Sequence, residues 1–329
     1  MILVTGGTGL VGSHLLYFLL QENEKIRAIH RKSSDIASVK KIFAHYTEEV
    51  DSLFNKIDWV QADITDIPAL TKAFEGITHV YHCAAYISFN PAKYRSLKKA
   101  NVEGTANVVN LSIEKNIKKL CYVSSVAVFA RKNHGELIDE ESFWNPDDKN
   151  SVYAITKYGA EMEVWRGTQE GLDAVIVNPG IILGISTTST GSGVATQLGA
   201  KGIPFYPSGG VGVVDVEDVV KAMILLMNSH IINQQYILVG QNISYKDLLS
   251  KMAVLFGKKP PTRKLSKPLM YFLAALDGFA NKVFGKRRVI VKDMVRSMFQ
   301  TSYYDTSKIR KDLDFKFTPL EKTLEKLKP

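Results

Sequence analysis

The stretch Thr5-Gly6-Gly7-Thr8-Gly9-Leu10-Val11-Gly12 constrains this chain more than any other. It follows a short β-branched run, Ile2–Val4, and opens a helical pattern over Leu10–Gln21. In such a turn the first glycine permits the tight bend and the second lets backbone N–H groups approach a pyrophosphate. The third lets helix and strand pack closely, and the helix start adds the positive end of its dipole. Any strand-to-helix turn can carry glycines. This one stands at the head of the chain inside a strand–turn–helix, which points to dinucleotide binding through Gly6, Thr8, Gly9, Leu10, Val11 and Gly12.

The pattern that follows is repetitive. Strand-like runs at Lys25–His30, Ile57–Gln61, His79–His82, Leu120–Ser124 and Ala174–Val177 alternate with helix-like stretches at Ile67–Phe74, Val102–Glu114 and Tyr153–Thr168. Alternation of this kind predicts an α/β fold, a Rossmann-type doubly wound parallel sheet covered on both faces. A seventh strand at Gln235–Val239, after a helix at Val216–Asn228, is expected to close the same sheet. The Gly/Ser/Thr-rich stretch Gly184–Gly212 reads as an excursion that returns to the sheet. The helical, basic segment after Gly240 is broken by Pro260-Pro261 and Pro268. The expected division is therefore residues 1–183 plus about 213–240 as a nucleotide-binding domain. Residues from about 184 to 212 plus 241–329 would form a smaller, mostly helical substrate lobe, consistent with a length of 329.

Charge divides the chain in the same way. Of 42 Lys+Arg, 20 follow Gly240, against 8 of the 33 Asp+Glu, so the basic excess belongs to the C-terminal part alone. Phosphorylated ligands and anionic membranes both suit such a lobe. Nucleic acid is not expected, because no zinc-finger spacing or aromatic–basic RNA-binding signature accompanies the charge. Two cysteines, Cys83 and Cys121, form no disulfide framework or metal spacing, and no metal is expected. Without a signal-like leader or an uncharged apolar run of about 18 residues, a reduced, cytoplasmic protein is the default expectation.

The second strand ends in His30-Arg31-Lys32-Ser33. A site for NAD usually places an acid here for the ribose hydroxyls, about 20 residues past the glycines. Here two cations and a hydroxyl precede the first acid, Asp35. Arg31 and Lys32 could neutralise a 2′-phosphate, which favours NADP(H), with NAD(H) still open; a solvated basic turn would look the same. Further on, Ser124-Ser125 ends a strand, and Tyr153-Ala154-Ile155-Thr156-Lys157 begins a helix. Spacing of four puts Tyr153 and Lys157 on one helix face. A tyrosine working near neutrality needs its pKa lowered by roughly 3 units, and a nearby ammonium acts in that direction. Ser125 at the strand end can hydrogen-bond a substrate oxygen.

These residues, in this order, make the chain resemble the extended short-chain dehydrogenases/reductases, and within them the dihydroflavonol 4-reductase and 3β-hydroxysteroid dehydrogenase group. The resemblance also rests on Asp63-Ile64, His82-Cys83-Ala84-Ala85, Asn101-Val102-x-Gly104-Thr105, Tyr122-Val123-Ser124-Ser125 and Asn178-Pro179-Gly180. It implies that Asp63 and Ile64 hold the adenine. The backbone of Ala84 and Ala85 and the Asn101 side chain would support the ribose and nicotinamide, with Pro179 and Ile182 beside the carboxamide. Ser125, Tyr153 and Lys157 would be catalytic, and Arg31 falls where NADP-using members carry a phosphate-binding arginine. Relatives often dimerise through two sheet-flanking helices, here Val102–Glu114 and Tyr153–Thr168.

The function expected is hydride transfer between NADP(H) and a small hydrophobic ketone, aldehyde or secondary alcohol. The alternative is an NAD-dependent nucleotide-sugar epimerase or dehydratase, which uses the same triad. A non-catalytic NADP sensor is disfavoured, because such proteins commonly lack part of the triad. Around Ser186–Gly193 no signature identifies a substrate. Finally, Leu269, Phe272, Leu273, Leu276, Ala280, Val283 and Phe284 share one helical face, flanked by Lys264, Lys267 and Lys286-Arg287-Arg288. Such a stripe is more often core-facing; segment 264–288 is alternatively a peripheral membrane contact.

Overall fold

A computed structural model describes residues 1–23, 25–130, 132, 135–186, 201–284 and 290–328. Seven parallel strands form the central sheet: β1 (Ile2–Thr5), β2 (Ile26–His30), β3 (Ile57–Gln61), β4 (His79–His82), β5 (Lys119–Val123), β6 (Ala174–Pro179) and β10 (Gln234–Leu238). Their order across the sheet is β10-β6-β5-β4-β1-β2-β3. The expected alternation and the seventh strand are both present. Two short helices, Ser38–Phe43 and Val50–Phe54, also fill the β2–β3 connection.

Because side chains alternate along a strand, neighbours in sequence serve opposite faces. Val4, Tyr81, Cys121, Val175 and Val177 pack on one side with Leu15, Leu16 and Leu19 of the first helix and Val219, Val220 and Met223 of the Val216–Asn228 helix. Leu3, Val80, Leu120, Tyr122 and Ile176 pack on the other side with Val108 and Val109 of the Gly104–Glu114 helix and Ala160 and Val164 of the Val152–Gln169 helix. Strands buried on both faces are what make these runs continuously apolar in sequence.

The order reverses between β1 and β4, which pair directly from Ile2↔His79 to Thr5↔His82. At such a switch point the loops leaving the two strands diverge and open a crevice at their C-terminal ends. The loops in question are the glycine turn and the segment after His82.

The excursion does not return to the central sheet. It returns as β9 (Gly210–Asp215), which pairs parallel with β7 (Ile181–Leu183) and antiparallel with β11 (Gln241–Ser244) in a separate three-stranded sheet. Pro179, with no N–H to extend the ladder, ends β6, and the chain leaves for β7. Leu183, Val213, Ile243, Leu248, Met252, Leu320 and Leu324 form the core of this second region. A two-strand pair, β8 (Phe205–Tyr206) with β12 (Arg263–Lys264), lies beyond it.

One expectation fails here. The Lys267–Phe284 helix turns Ala274, with Met270 and Tyr271 half-buried on either side of it, toward the protein. Leu269, Phe272, Leu273, Leu276 and Phe279 are 37–63% exposed, so the stripe does not face the core. Lys286, Arg287 and Arg288, the side chains of Val283 and Phe284, and most of 186–193 lie outside the described residues.

Candidate active site

The glycine turn fits a backbone-only cradle. Gly6 is left-handed (φ +69°), and a Cβ on it would stand 2.7 Å from the Ala84 nitrogen, so only glycine lets the turn close against the β4 loop. A Cβ on Gly12 would run into the Gly6 carbonyl oxygen. Beneath the turn, Ala84 N–H donates to Thr5 Oγ1 (3.2 Å), which also meets His82 Nδ1 at 2.7 Å. His82 Nε2 bonds Thr105 Oγ1 at 2.9 Å. Burial pushes the His82 ring down to about 3, so it is neutral and serves as a hydrogen-bonding strut. Cys83, whose thiol burial pushes up to about 12, is an unreactive liner.

At the end of β2, Arg31 and Lys32 are exposed, with no ion-pair partner among the described residues. Asp35, the acid that could compete for a ribose, receives the Ser38 N–H at 3.2 Å and so helps start the next helix. At the end of β3, Asp63 Oδ1 takes two bonds from Thr65. Ile64 is buried against Gly104, where a Cβ would come within 2.6 Å of its Cδ1. Ala84 is half-buried and Ala85 exposed in the loop after β4. Asn101, in a π-helical segment Lys98–Glu103, accepts from Tyr86 N–H (2.7 Å) and donates to Tyr86 O and Thr156 Oγ1. Its amide therefore pins this loop to the Val152–Gln169 helix and supports the site through the backbone. Pro179 is buried at the end of β6, and Ile182 is half-buried on β7.

Ser125 follows β5 in extended backbone, and its Oγ accepts from Ala127 N–H at 3.2 Å. Ser124 is buried while Ser125 is half-buried, as strand alternation requires. Opposite stands the Val152–Gln169 helix, capped by Ser151, whose Oγ accepts from Ala154 N–H at 3.1 Å. Tyr153 lies in its first turn, on the side of the helix that faces Ser125 closely enough for the serine to act on the phenol. Burial raises the Tyr153 phenol, and the Ser125 side chain acts against that rise. The Lys157 ammonium, expected to lower the phenol together with the positive charge of an oxidised nicotinamide, is not among the groups that shift it here. Lys157, 1% exposed, gives its protons to Tyr122 Oη (2.6 Å) and the Val123 carbonyl (2.9 Å). Burial lowers its ammonium to about 7, opposed by the nearby Glu161 carboxylate.

Glu161, which the sequence reading passed over, and Tyr122, quoted there only as part of a motif, are the neighbours of Lys157. Glu161 is 3% exposed and accepts from Asn178 Nδ2 at 2.9 Å; burial raises its carboxyl. Spacing four puts Glu161 on the same helix face as Tyr153 and Lys157, but nothing in the sequence marks it as buried. Facing Tyr153 from the β4 loop is Phe89, ring centroids 5.4 Å apart, with Ile87 exposed beside it in sequence. A hydroxyl pair, a buried amine and an apolar wall thus meet at the mouth of the crevice.

Residues 2–240 match the model of the NAD-dependent epimerase/dehydratase family. The chain belongs to that family. Along 98% of its length it is 30% identical to a Synechocystis protein that carries the name dihydroflavonol 4-reductase, covering 91% of that protein. It is 26% identical to cinnamoyl-CoA reductase 1 of Oryza sativa, over 98% of this chain and 88% of the other. Among solved structures, that of gox2253 superposes with a TM-score of 0.81 at 27% identity, covering 99% of this chain and 96% of that one. This member of the epimerase/dehydratase family is an NAD(P)-dependent oxidoreductase acting on CH–OH and C=O groups. The glycine cradle, closed to any side chain at Gly6, fits the dinucleotide such an enzyme uses.

Proposed function

We propose that the protein is an NADP(H)-dependent carbonyl reductase or alcohol dehydrogenase for a small, hydrophobic ketone, aldehyde or secondary alcohol. The observation that carries the reading is the meeting of Ser125, Tyr153 and buried Lys157 beside Phe89, with two exposed cations at the end of β2 that have no ion-pair partner among the described residues. Gly6, Thr8, Gly9, Leu10, Val11 and Gly12 would hold the phosphates, and Asp63 and Ile64 the adenine. Ala84, Ala85, Pro179 and Ile182 would flank the nicotinamide end. The nicotinamide supplies the hydride for reduction, or accepts it for oxidation.

The protein's own part is proton and charge handling. In reduction Tyr153 donates its phenolic proton to the carbonyl oxygen while Ser125 hydrogen-bonds the same oxygen as negative charge develops there. Burial keeps the Tyr153 phenol protonated, and donation near neutrality then requires its pKa to be brought down, which the positive charges of Lys157 and an oxidised nicotinamide would do. Lys157 would hold the ribose and stabilise the tyrosinate left behind. Phe89 and Ile87 favour an apolar substituent on the carbonyl. Arg31 and Lys32 supply charge for a 2′-phosphate, and Asp35, engaged with Ser38, offers it little opposition.

Titration with NADPH and NADH, followed by a carbonyl screen, tests this. Clear NADPH preference is expected, with Arg31→Ala weakening NADPH roughly 10- to 100-fold and leaving NADH unchanged. Tyr153→Phe should keep nucleotide affinity and lose about 10²- to 10⁴-fold in turnover. Full turnover in folded Tyr153→Phe would overturn the catalytic assignment. The family's description favours one second reading, nucleotide-sugar epimerisation or dehydration with retained NAD. NAD that co-purifies with the protein, or a preference for NADH, would bring it forward.

A further inference from the structure

The Lys267–Phe284 helix carries a burial pattern opposite to that of an ordinary surface helix. On its packed side Ala274 is fully buried between half-buried Met270 and Tyr271, and the helix rests against the Lys292–Met298 helix. Asp277, its acid, is turned inward, where its Oδ2 accepts the Ile290 N–H at 2.9 Å. Leu269, Phe272, Leu273, Leu276 and Phe279 fall within about one third of the helix circumference, at 100° per residue, and all face solvent. A continuous stripe with two phenylalanines and three leucines is more than scattered surface apolarity.

The surroundings of the stripe are cationic. Lys258, Lys259, Arg263, Lys264 and Lys267 lead into it, are all exposed, and have no ion-pair partner among the described residues. From Lys251 to Arg296 the sequence holds 12 basic residues against two acids. Phe205, 40% exposed, sits opposite Arg263 in the β8–β12 pair and adds an aromatic ring next to the cations.

We infer that this face docks on an anionic lipid surface, with the helix lying in the plane of the interface. Apolar side chains entering the acyl boundary beside cations that meet acidic headgroups is the arrangement such surfaces bind. No described helix is long and apolar enough to cross a membrane, so the contact is peripheral. A second copy is a poorer occupant. A two-fold contact through the stripe would bring each copy's cation cluster against the other's. The inference does not depend on which nucleotide or carbonyl the enzyme uses.

The test is co-sedimentation of the full-length protein with vesicles of pure phosphatidylcholine and of phosphatidylcholine containing phosphatidylglycerol. Binding is expected only with phosphatidylglycerol, and it should weaken as salt rises. Phe272→Ser/Phe279→Ser and Lys264→Glu/Lys267→Glu should each weaken it at least about tenfold, since both apolar and ionic contributions are required. These residues are exposed and remote in sequence from the catalytic set, so nucleotide affinity should stay at the wild-type value and report an intact fold. Failure of the wild type to bind phosphatidylglycerol vesicles, or binding that both double variants retain, would overturn the inference. So would a concentration-dependent dimer, dissolved by Phe272→Ser/Phe279→Ser, in a protein that ignores vesicles; that result assigns the face to a second copy.

Discussion

Lys157 concentrates the chemistry of single residues in this protein. Its ammonium is enclosed, its usual pKa of 10.5 falls to about 7, and its protons go to Tyr122 and Val123. Between those two values the unfolded chain holds a proton that the native chain does not. The residue's contribution to stability is therefore complete above pH 10.5 and is lost as pH falls through about 7. In thermal or denaturant unfolding of the nucleotide-free protein, wild type should gain on Lys157→Met as pH rises from 7 toward 10. The gain should reach at most about 1.4 kcal/mol per pH unit. A difference independent of pH would show that Lys157 stays charged in place. Spacing made Tyr153 and Lys157 legible as a pair in the sequence. It did not reveal Glu161 and Asn178 behind them, because a buried carboxylate one turn further along a helix looks like any solvated acid until its cover is known.

At the scale of elements, the Val152–Gln169 helix is the part that aligns the site. Ser151 fixes its start, one residue before the turn that carries Tyr153. Two glycines let it lie close to its neighbour: a Cβ on Gly159 would stand 3.1 Å from Val102 and one on Gly167 2.5 Å from Val109. Ser151→Ala removes the bond to Ala154 N–H and should cost about 1 kcal/mol, read as a lower denaturant midpoint with an unchanged slope. Asn101 works at the same scale, tying the β4 loop to this helix. The sequence indicated Asn101 as a site residue; only the fold shows that its amide is spent on Tyr86 and Thr156.

Across the whole molecule, the chain after β11 does not hang on the nucleotide-binding sheet as an appendage. Ile309 and Phe315 are buried in the core of the central sheet on the side of β10 and the Val216–Asn228 helix, and Leu320 and Leu324 close the core of the three-stranded sheet. Asp215, at the end of β9, receives Thr323 Oγ1 at 2.9 Å and Lys326 Nζ at 3.1 Å. Asp218 takes both the N–H and the hydroxyl of Thr318. The C-terminal segment therefore closes a long loop against β9 and the start of the Val216–Asn228 helix. Leu324→Ala, at a position 4% exposed, should destabilise the protein by about 2–5 kcal/mol. Hydrogen exchange should then show lost protection in β9 and β11 as well as at the chain end; loss confined to the last helix would mean that the segment is peripheral.

The sequence by itself determined the parallel sheet, the glycine cradle and the Ser125–Tyr153–Lys157 set. Each rests on a local rule: period-two burial on both faces, a left-handed turn that only glycine tolerates, and one turn of helix between two side chains. Tertiary structure decided the rest. It sent the excursion to β9 beside β7, where Pro179 ends the ladder, and gave Asp35 to Ser38. It also surrounded Lys157 with Tyr122 and Glu161, and left the stripe from Leu269 to Phe279 uncovered. Those outcomes depend on which surfaces meet across long separations in the chain, and a periodic pattern specifies a face without specifying what covers it.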